Sequence, residues 1–220
     1  MALPCVELET APNPTRSILW LHGLGADGND FAPIVPELVD PAWPALRFVF
    51  PHAPVRPVTI NGGMPMRAWY DIRGARIEDK QDEAGVRASL VDLDALVARE
   101  GERGIAPAHV LLAGFSQGGA IVLAGGLRQP RRLAGIVALS TYLPLHELTA
   151  AERSAESAGL PIFMAHGSHD PVVPEPLGAM SRDVLRSLGH PVDWHSYPMA
   201  HQVCAQEIAD LRAWIGARIA

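Results

Sequence analysis

The segment Gly114-Phe115-Ser116-Gln117-Gly118 carries the clearest chemistry in the chain. It follows an apolar run ending at Ala113 and precedes a helical run from Gly119 to Leu127. In that strand–turn–helix setting, G-x-S-x-G presents a serine nucleophile on a strained turn. Side chains at the flanking glycines would collide with the neighbouring strand or helix. The serine hydroxyl needs a base to take its proton and a carboxylate to orient that base. In this arrangement they follow the serine in the order Asp or Glu, then His.

Six histidines follow Ser116: His146, His166, His169, His190, His195 and His201. His195 falls inside an expected strand, His190 precedes Pro191 at a strand entrance, and His166 and His169 end the strand before. His201 stands between the last strand and the last helix, on a loop that should hang over the serine turn. It is the expected base; the plain alternative is a surface histidine capping the last helix. Asp170, after a strand and before Pro171, is the expected acid, with a simple turn aspartate as its alternative. Asp193 competes less well, because it lies within a strand close to His201.

Negative charge developing on a substrate oxygen requires donors already in place. The amide of Gln117, next after the nucleophile, is one. The other is assigned to Leu24 in His22-Gly23-Leu24-Gly25, which follows the apolar run Ser17–Leu21 and turns its amides inward through two glycines. His22 reads as structural. Two other classes stay open. His166, His169 and Asp170 form the best metal-ligand cluster, although no H-E-x-x-H string occurs. An inactive hydrolase-like fold serving as a binding module is the other, since fold alone does not prove activity.

Strands are expected at Val6–Glu9, Ser17–Leu21, Leu46–Phe50, His109–Ala113, Leu133–Leu139, Pro161–Ala165 and Val192–Tyr197. Helices are expected near Gly28–Val39, Lys80–Arg103, Gln117–Arg128, Pro176–Leu188 and Gln202–Ile219. Val86, Leu90, Leu93 and Val97 share one helical face. The runs Val110–Leu112 and Ile136–Leu139 are continuously apolar, as strands covered on both faces are. Without a linker or repeat, residues 1–220 read as a single α/β domain, a mostly parallel central sheet of about seven strands between two helical layers. Two irregular insertions, 51–79 and 140–159, interrupt the alternation where ligand sites gather, outside the carboxyl ends of the strands.

Composition removes several functions. Apolar residues make up 48% and charged residues 19%, which excludes intrinsic disorder even with 20 glycines and 20 prolines. A net charge of -6 argues against a nucleic-acid partner. Cys5 and Cys204 make no disulfide framework, and no basic start or apolar run precedes Cys5, so a cytoplasmic setting is expected. Val110–Leu127 is apolar enough to suggest a membrane helix with a Gly114-x-x-x-Gly118 face. Its five glycines, at about 1 kcal/mol each relative to alanine, favour a buried strand, turn and helix, with no integral membrane association.

With these residues in view, the chain resembles the carboxylesterase and acyl-protein thioesterase family of α/β-hydrolases, especially its small bacterial carboxylesterases. The likeness rests on Leu21 to Gly28, Arg56 to Gly63, Trp69-Tyr70-Asp71-Ile72, Gly114 to Gly119 and Ala138 to Tyr142. It continues through His166-Gly167, Asp170, Val173, Pro174 and Tyr197-Pro198-Met199 before His201. It implies a serine hydrolase without metal or organic cofactor, cleaving small-molecule or lipid esters of small to medium acyl chains through an acyl-enzyme. Carboxylesterase activity is the leading expectation; acyl-protein thioesterase and lysophospholipase activities use the same machinery. The implied triad is Ser116, Asp170 and His201, with donors at Leu24 and Gln117. Met64, Met66, Trp69 and Leu143 are expected to line a shallow acyl groove, ordinary packing being the alternative. Ala200 departs from the family's usual glycine before the histidine, which would shift the His201 loop slightly. Apolar surface on the insertions is compatible with a homodimer.

Overall fold

The apolar runs build strands that are covered on both sides. The computed structural model describes residues 3–74 and 81–219. In chain order these form β1 (Cys5–Glu9), β2 (Arg16–Leu21), α1 (Val35–Leu38), β3 (Leu46–Pro51), β4 (Val55–Val58) and β5 (Met64–Arg67). Next come α2 (Glu83–Glu102), β6 (Val110–Phe115), α3 (Gln117–Arg128), β7 (Gly135–Leu139) and α4 (His146–Glu152). The chain ends with β8 (Ile162–Gly167), α5 (Glu175–Ser187), β9 (Val192–Tyr197) and α6 (Ala205–Ile219).

The main sheet has seven strands in the order β1-β3-β2-β6-β7-β8-β9. Only β1 runs antiparallel to its neighbour. Successive residues of each central strand enter opposite cores. In β2, Leu19 and Leu21 join Val86, Leu93 and Ile121 of α2 and α3, whereas Ile18 and Trp20 join Val35, Leu211 and Ile215 of α1 and α6. β6, β7 and β8 divide in the same way. Both faces being buried, both phases of the strand period favour apolar residues, and the strand centres read as continuous apolar runs, with buried Ser17, Arg47 and His166 towards the strand ends. This is an α/β-hydrolase fold.

Several expected boundaries move. Instead of a helix over Gly28–Val39 there is a 3₁₀ turn at Ala32–Ile34 followed by the single turn α1. Asp27 draws the Asn29 amide into a local turn at 2.7 Å, and Pro33 and Pro36 supply no donors, so helix cannot propagate back to Gly28. α2 starts at Glu83, capped by Asp82, whose Oδ1 accepts from the Gly85 amide at 3.2 Å. The expected start at Lys80 lies outside the described residues, as do residues 75–79 of the first insertion. α6 begins at Ala205, leaving residues 201–204 as loop.

Neither insertion is irregular throughout. The first folds β4 and β5 into a hairpin with Val55 opposite Arg67 and Val58 opposite Met64. Pro57 faces Pro65 in this two-stranded ribbon, where two edges tolerate the missing N–H groups that argue against a strand in the sequence. The second insertion holds α4. Val110–Leu127 divides into β6, a turn and α3, and among the described residues no helix is long and apolar enough to cross a membrane.

Candidate active site

Ser116 occupies the junction of β6 and α3 with φ 55° and ψ -120°, a backbone conformation that side chains rarely adopt. The surroundings hold it there. Its amide donates to the Leu139 carbonyl at 2.8 Å, and its carbonyl accepts from Thr141 Oγ1 at 2.6 Å. A Cβ on Gly114 would lie 2.5 Å from the Gly118 carbonyl carbon, and one on Gly118 would lie 2.3 Å from the Leu21 oxygen. The helix start is thus pressed onto β6 and β2, and the serine is left half-buried at the carboxyl end of the sheet.

Asp170 and His201 come from loops following β8 and β9. Asp170 Oδ1 accepts from the amides of Val172 and Val173 at 2.8 and 2.9 Å, while Oδ2 meets His201 Nδ1 at 2.7 Å. The Asp170 side chain is fully buried. Backbone bonds fasten the two loops: the Ser168 amide donates to Tyr197 at 2.8 Å and the His169 amide to Met199 at 3.1 Å. The His201 ring lies 4.7 Å from the ring of Phe115, centroid to centroid, which sets it beside the residue preceding Ser116. With Nδ1 committed to Asp170, Nε2 is the nitrogen that can exchange a proton. Ala200 is absent from the positive-φ residues, so the alanine sits there without backbone strain.

The loop after β2 lies against the serine: a Cβ on Gly23 would come within 3.4 Å of Ser116 Cβ. Among the described residues, neither the Leu24 nor the Gln117 amide has a hydrogen-bond acceptor. The loop is braced from behind. Trp69 Nε1 donates to the His22 carbonyl at 2.9 Å, and the Gly25 amide donates to Arg67 at 2.9 Å. His22 accepts through Nε2 from the Ala53 amide at 3.1 Å, which requires Nδ1–H to donate to Gly23 at 2.7 Å. Burial pushes the His22 pKa down and keeps the ring neutral, a structural role.

The expected groove residues separate. Met64 is exposed at the hairpin tip and Met66 is half-buried, its sulfur 3.9 Å from where a Gly25 Cβ would be. Trp69 and Leu143, at 1% and 2% exposure, belong to the core and offer no surface to an acyl chain. Trp69 was drawn in by its large apolar side chain, and its indole is spent on packing and on the His22 carbonyl. Two positioning groups escaped the sequence reading: the side chain of Gln117, bonded to the backbone of Trp69 and Tyr70, and Thr141 beneath Ser116. Only Trp69-Tyr70 and Ser140-Thr141-Tyr142, as motif strings, hinted at them.

The alternative acid and the metal candidates do not form a second site. Asp193 Oδ1 lies 3.1 Å from His195 Nε2 on β9. His166 is buried with Nε2 2.8 Å from the Val173 carbonyl, and His169 is exposed. Among the described residues no three His, Cys, Asp or Glu side chains are grouped to hold a metal ion.

A strained serine between strand and helix, with an aspartate–histidine pair on later loops packed against the neighbouring Phe115, narrows the comparison with known proteins. The phospholipase/carboxylesterase family model matches residues 4–219. The chain belongs to that family. It is 36% identical over 218 residues to the acyl-protein thioesterase 1 of Cryptococcus neoformans, covering 91% of each chain. The acyl-protein thioesterase 1 of Mycosarcoma maydis is 38% identical over 92% of this chain and 90% of its own. Arabidopsis thaliana SOBER1 matches in structure with TM-score 0.87 at 31% identity, over 93% of this chain and 99% of that one. The Zea mays acyl-protein thioesterase 2 matches at 0.84 and 28%, over 98% and 99%. The family makes this protein a serine hydrolase of the α/β-hydrolase fold.

Proposed function

We propose that the protein hydrolyses acyl thioesters, and oxygen esters by the same steps, with Ser116 as nucleophile, His201 as general base and acid, and Asp170 as the carboxylate that orients it. The observation carrying this reading is the 2.7 Å hydrogen bond between His201 Nδ1 and a buried Asp170, held by two cross-linked loops beside the strained Ser116 turn. The thioesterase preference rests on the names of the relatives, acyl-protein thioesterases that match most of the chain. Carboxylesterase activity is the second reading, because oxygen esters need no different group.

Ser116 Oγ attacks the acyl carbonyl carbon while its proton passes to His201 Nε2. The carbonyl oxygen becomes an oxyanion that accepts hydrogen bonds from the Leu24 and Gln117 amides, each worth about 3 kcal/mol in the transition state. Collapse breaks the carbon–sulfur or carbon–oxygen bond, and the leaving atom takes the proton from His201. Water then attacks the acyl-serine, giving its proton to His201, and release of the acid returns that proton to Ser116. Asp170 remains ionised throughout, stabilising the imidazolium. The free cysteines Cys5 and Cys204 support a cytoplasmic setting for this chemistry.

The test is a panel of thioesters and oxygen esters matched in acyl length, assayed with wild type and Ser116→Ala. The expected result is thioester turnover lowered at least about 10⁴-fold by the substitution, with an unchanged melting temperature. Turnover retained by Ser116→Ala overturns the assignment.

A further inference from the structure

Beside His201, a cleft of about 360 Å³ opens between the start of α6 and the segment leading into α1. Phe31, Ile34, Phe115 and Val203 form its apolar wall, and His201 also lines it. The aromatic faces are continuous with the core. Phe31 stacks on Trp20 at 5.1 Å and meets Phe115 at 5.5 Å, and Phe115 in turn meets His201. Asp30 and Glu37, both exposed, stand on the rim. Among the described residues neither has an ion-pair partner, and no Lys or Arg lines the cleft.

Position decides what this cleft receives. The atom that departs from the tetrahedral intermediate takes its proton from His201, so the departing group must lie on the His201 side of Ser116. Charge decides which departing groups it favours. Two unpaired carboxylates raise the local concentration of cations and repel anions. Phenyl faces beneath them attract a cation further. Resting on the hydrolase reading above, we propose that this cleft is the leaving-group subsite and that it selects thiols or alcohols carrying positive charge over anionic ones.

Three butyryl thioesters test this: butyrylthiocholine, its neutral carbon isostere with tert-butyl replacing trimethylammonium, and the thioester of a mercaptoalkanesulfonate. The acyl group is constant, so differences in kcat/KM report the departing group. At low salt the cationic ester should exceed the anionic one by about tenfold, with the neutral one between. Near 1 M salt, where the screening length falls to about 3 Å, the ratio should shrink towards one. Asp30→Asn with Glu37→Gln should bring it within about twofold at low salt. A wild-type ratio near one, or a ratio that survives the double substitution, overturns the proposal. A second variant addresses the cleft itself: Val203→Trp should raise KM for butyrylthiocholine several-fold more than for a methyl thioester, and an equal effect on both overturns it. If no thioester is turned over, or Ser116→Ala matches wild type, the hydrolase reading has failed instead.

Discussion

The side chain of Gln117 ties the first residue of α3 to the backbone of Trp69, accepting the Trp69 amide at 2.8 Å while its Nε2 donates to the Tyr70 carbonyl at 2.7 Å. Trp69 reaches onward through Nε1 to the His22 carbonyl. One buried glutamine thereby links the helix carrying one proposed oxyanion donor to the loop carrying the other. Gln117→Ala leaves two buried backbone groups unpaired, at about 1–3 kcal/mol each. Urea denaturation should show a loss of about 2–4 kcal/mol. Turnover by the remaining folded enzyme should fall as well, because the two amides lose their common brace.

Ser116 stores backbone strain that only a glycine would relieve. Its φ of 55° with ψ of -120° is retained by bonds to Leu139 and Thr141. Ser116→Gly and Ser116→Ala should both abolish turnover. The glycine variant should nevertheless be the more stable by about 1–2 kcal/mol, read from urea midpoints. Equal stabilities would show that the turn carries no strain.

The Asp170 carboxylate is positioned by two backbone amides independently of His201. Asp170→Asn should therefore preserve the loop and the melting temperature to within a few degrees. It cannot enforce the imidazole tautomer whose Nε2 accepts the serine proton. The expected loss in kcat is about 10⁴-fold at neutral pH, by analogy with the same change in a serine protease. A loss smaller than about tenfold would remove Asp170 from the proposed triad.

Glu207, in the first turn of α6 behind the His201 loop, is wholly buried. Its Oε2 accepts from the Cys204 amide at 3.4 Å, and its Oε1 has no partner among the described residues. Burial pushes its pKa up to about 8 from the usual 4.5. Between these values the folded protein holds a proton that the unfolded chain releases, so this group lowers stability as pH rises. Glu207→Gln stays neutral throughout. Its stability should decline less between pH 4.5 and 8 and exceed wild type at pH 8 by about 2 kcal/mol or more, measured as urea midpoints across that range. Parallel curves would assign the slope to other groups.

Much of the site was legible because its chemistry and topology constrain local sequence. Gly114 and Gly118 mark a turn that crowds two strands, and His201 was singled out by its place between the last strand and the last helix. The misreadings have separate causes. Trp69 and Leu143 have the side chains of an acyl groove, but side-chain type does not state which way a loop faces. β4 and β5 were not expected within the first insertion; their two-stranded ribbon accommodates Pro57 and Pro65, which a central strand would not. The expected helix from Gly28 lost to an aspartate turn and two prolines that a broad hydrophobic pattern passes over.

By itself, the sequence determined the sheet and its two helical layers, because a strand buried on both faces is apolar at nearly every central position. It also determined which residue types stand at the serine turn, since those glycines leave room for no others. Tertiary structure alone decided that Asp170 and His201, 31 residues apart, meet at 2.7 Å, and that Gln117 braces Trp69. It alone placed two carboxylates on the rim of an aromatic cleft beside His201. Those relationships depend on distances between loops launched from different strands, set by sheet twist, crossover packing and backbone bonds that leave no periodicity in the chain.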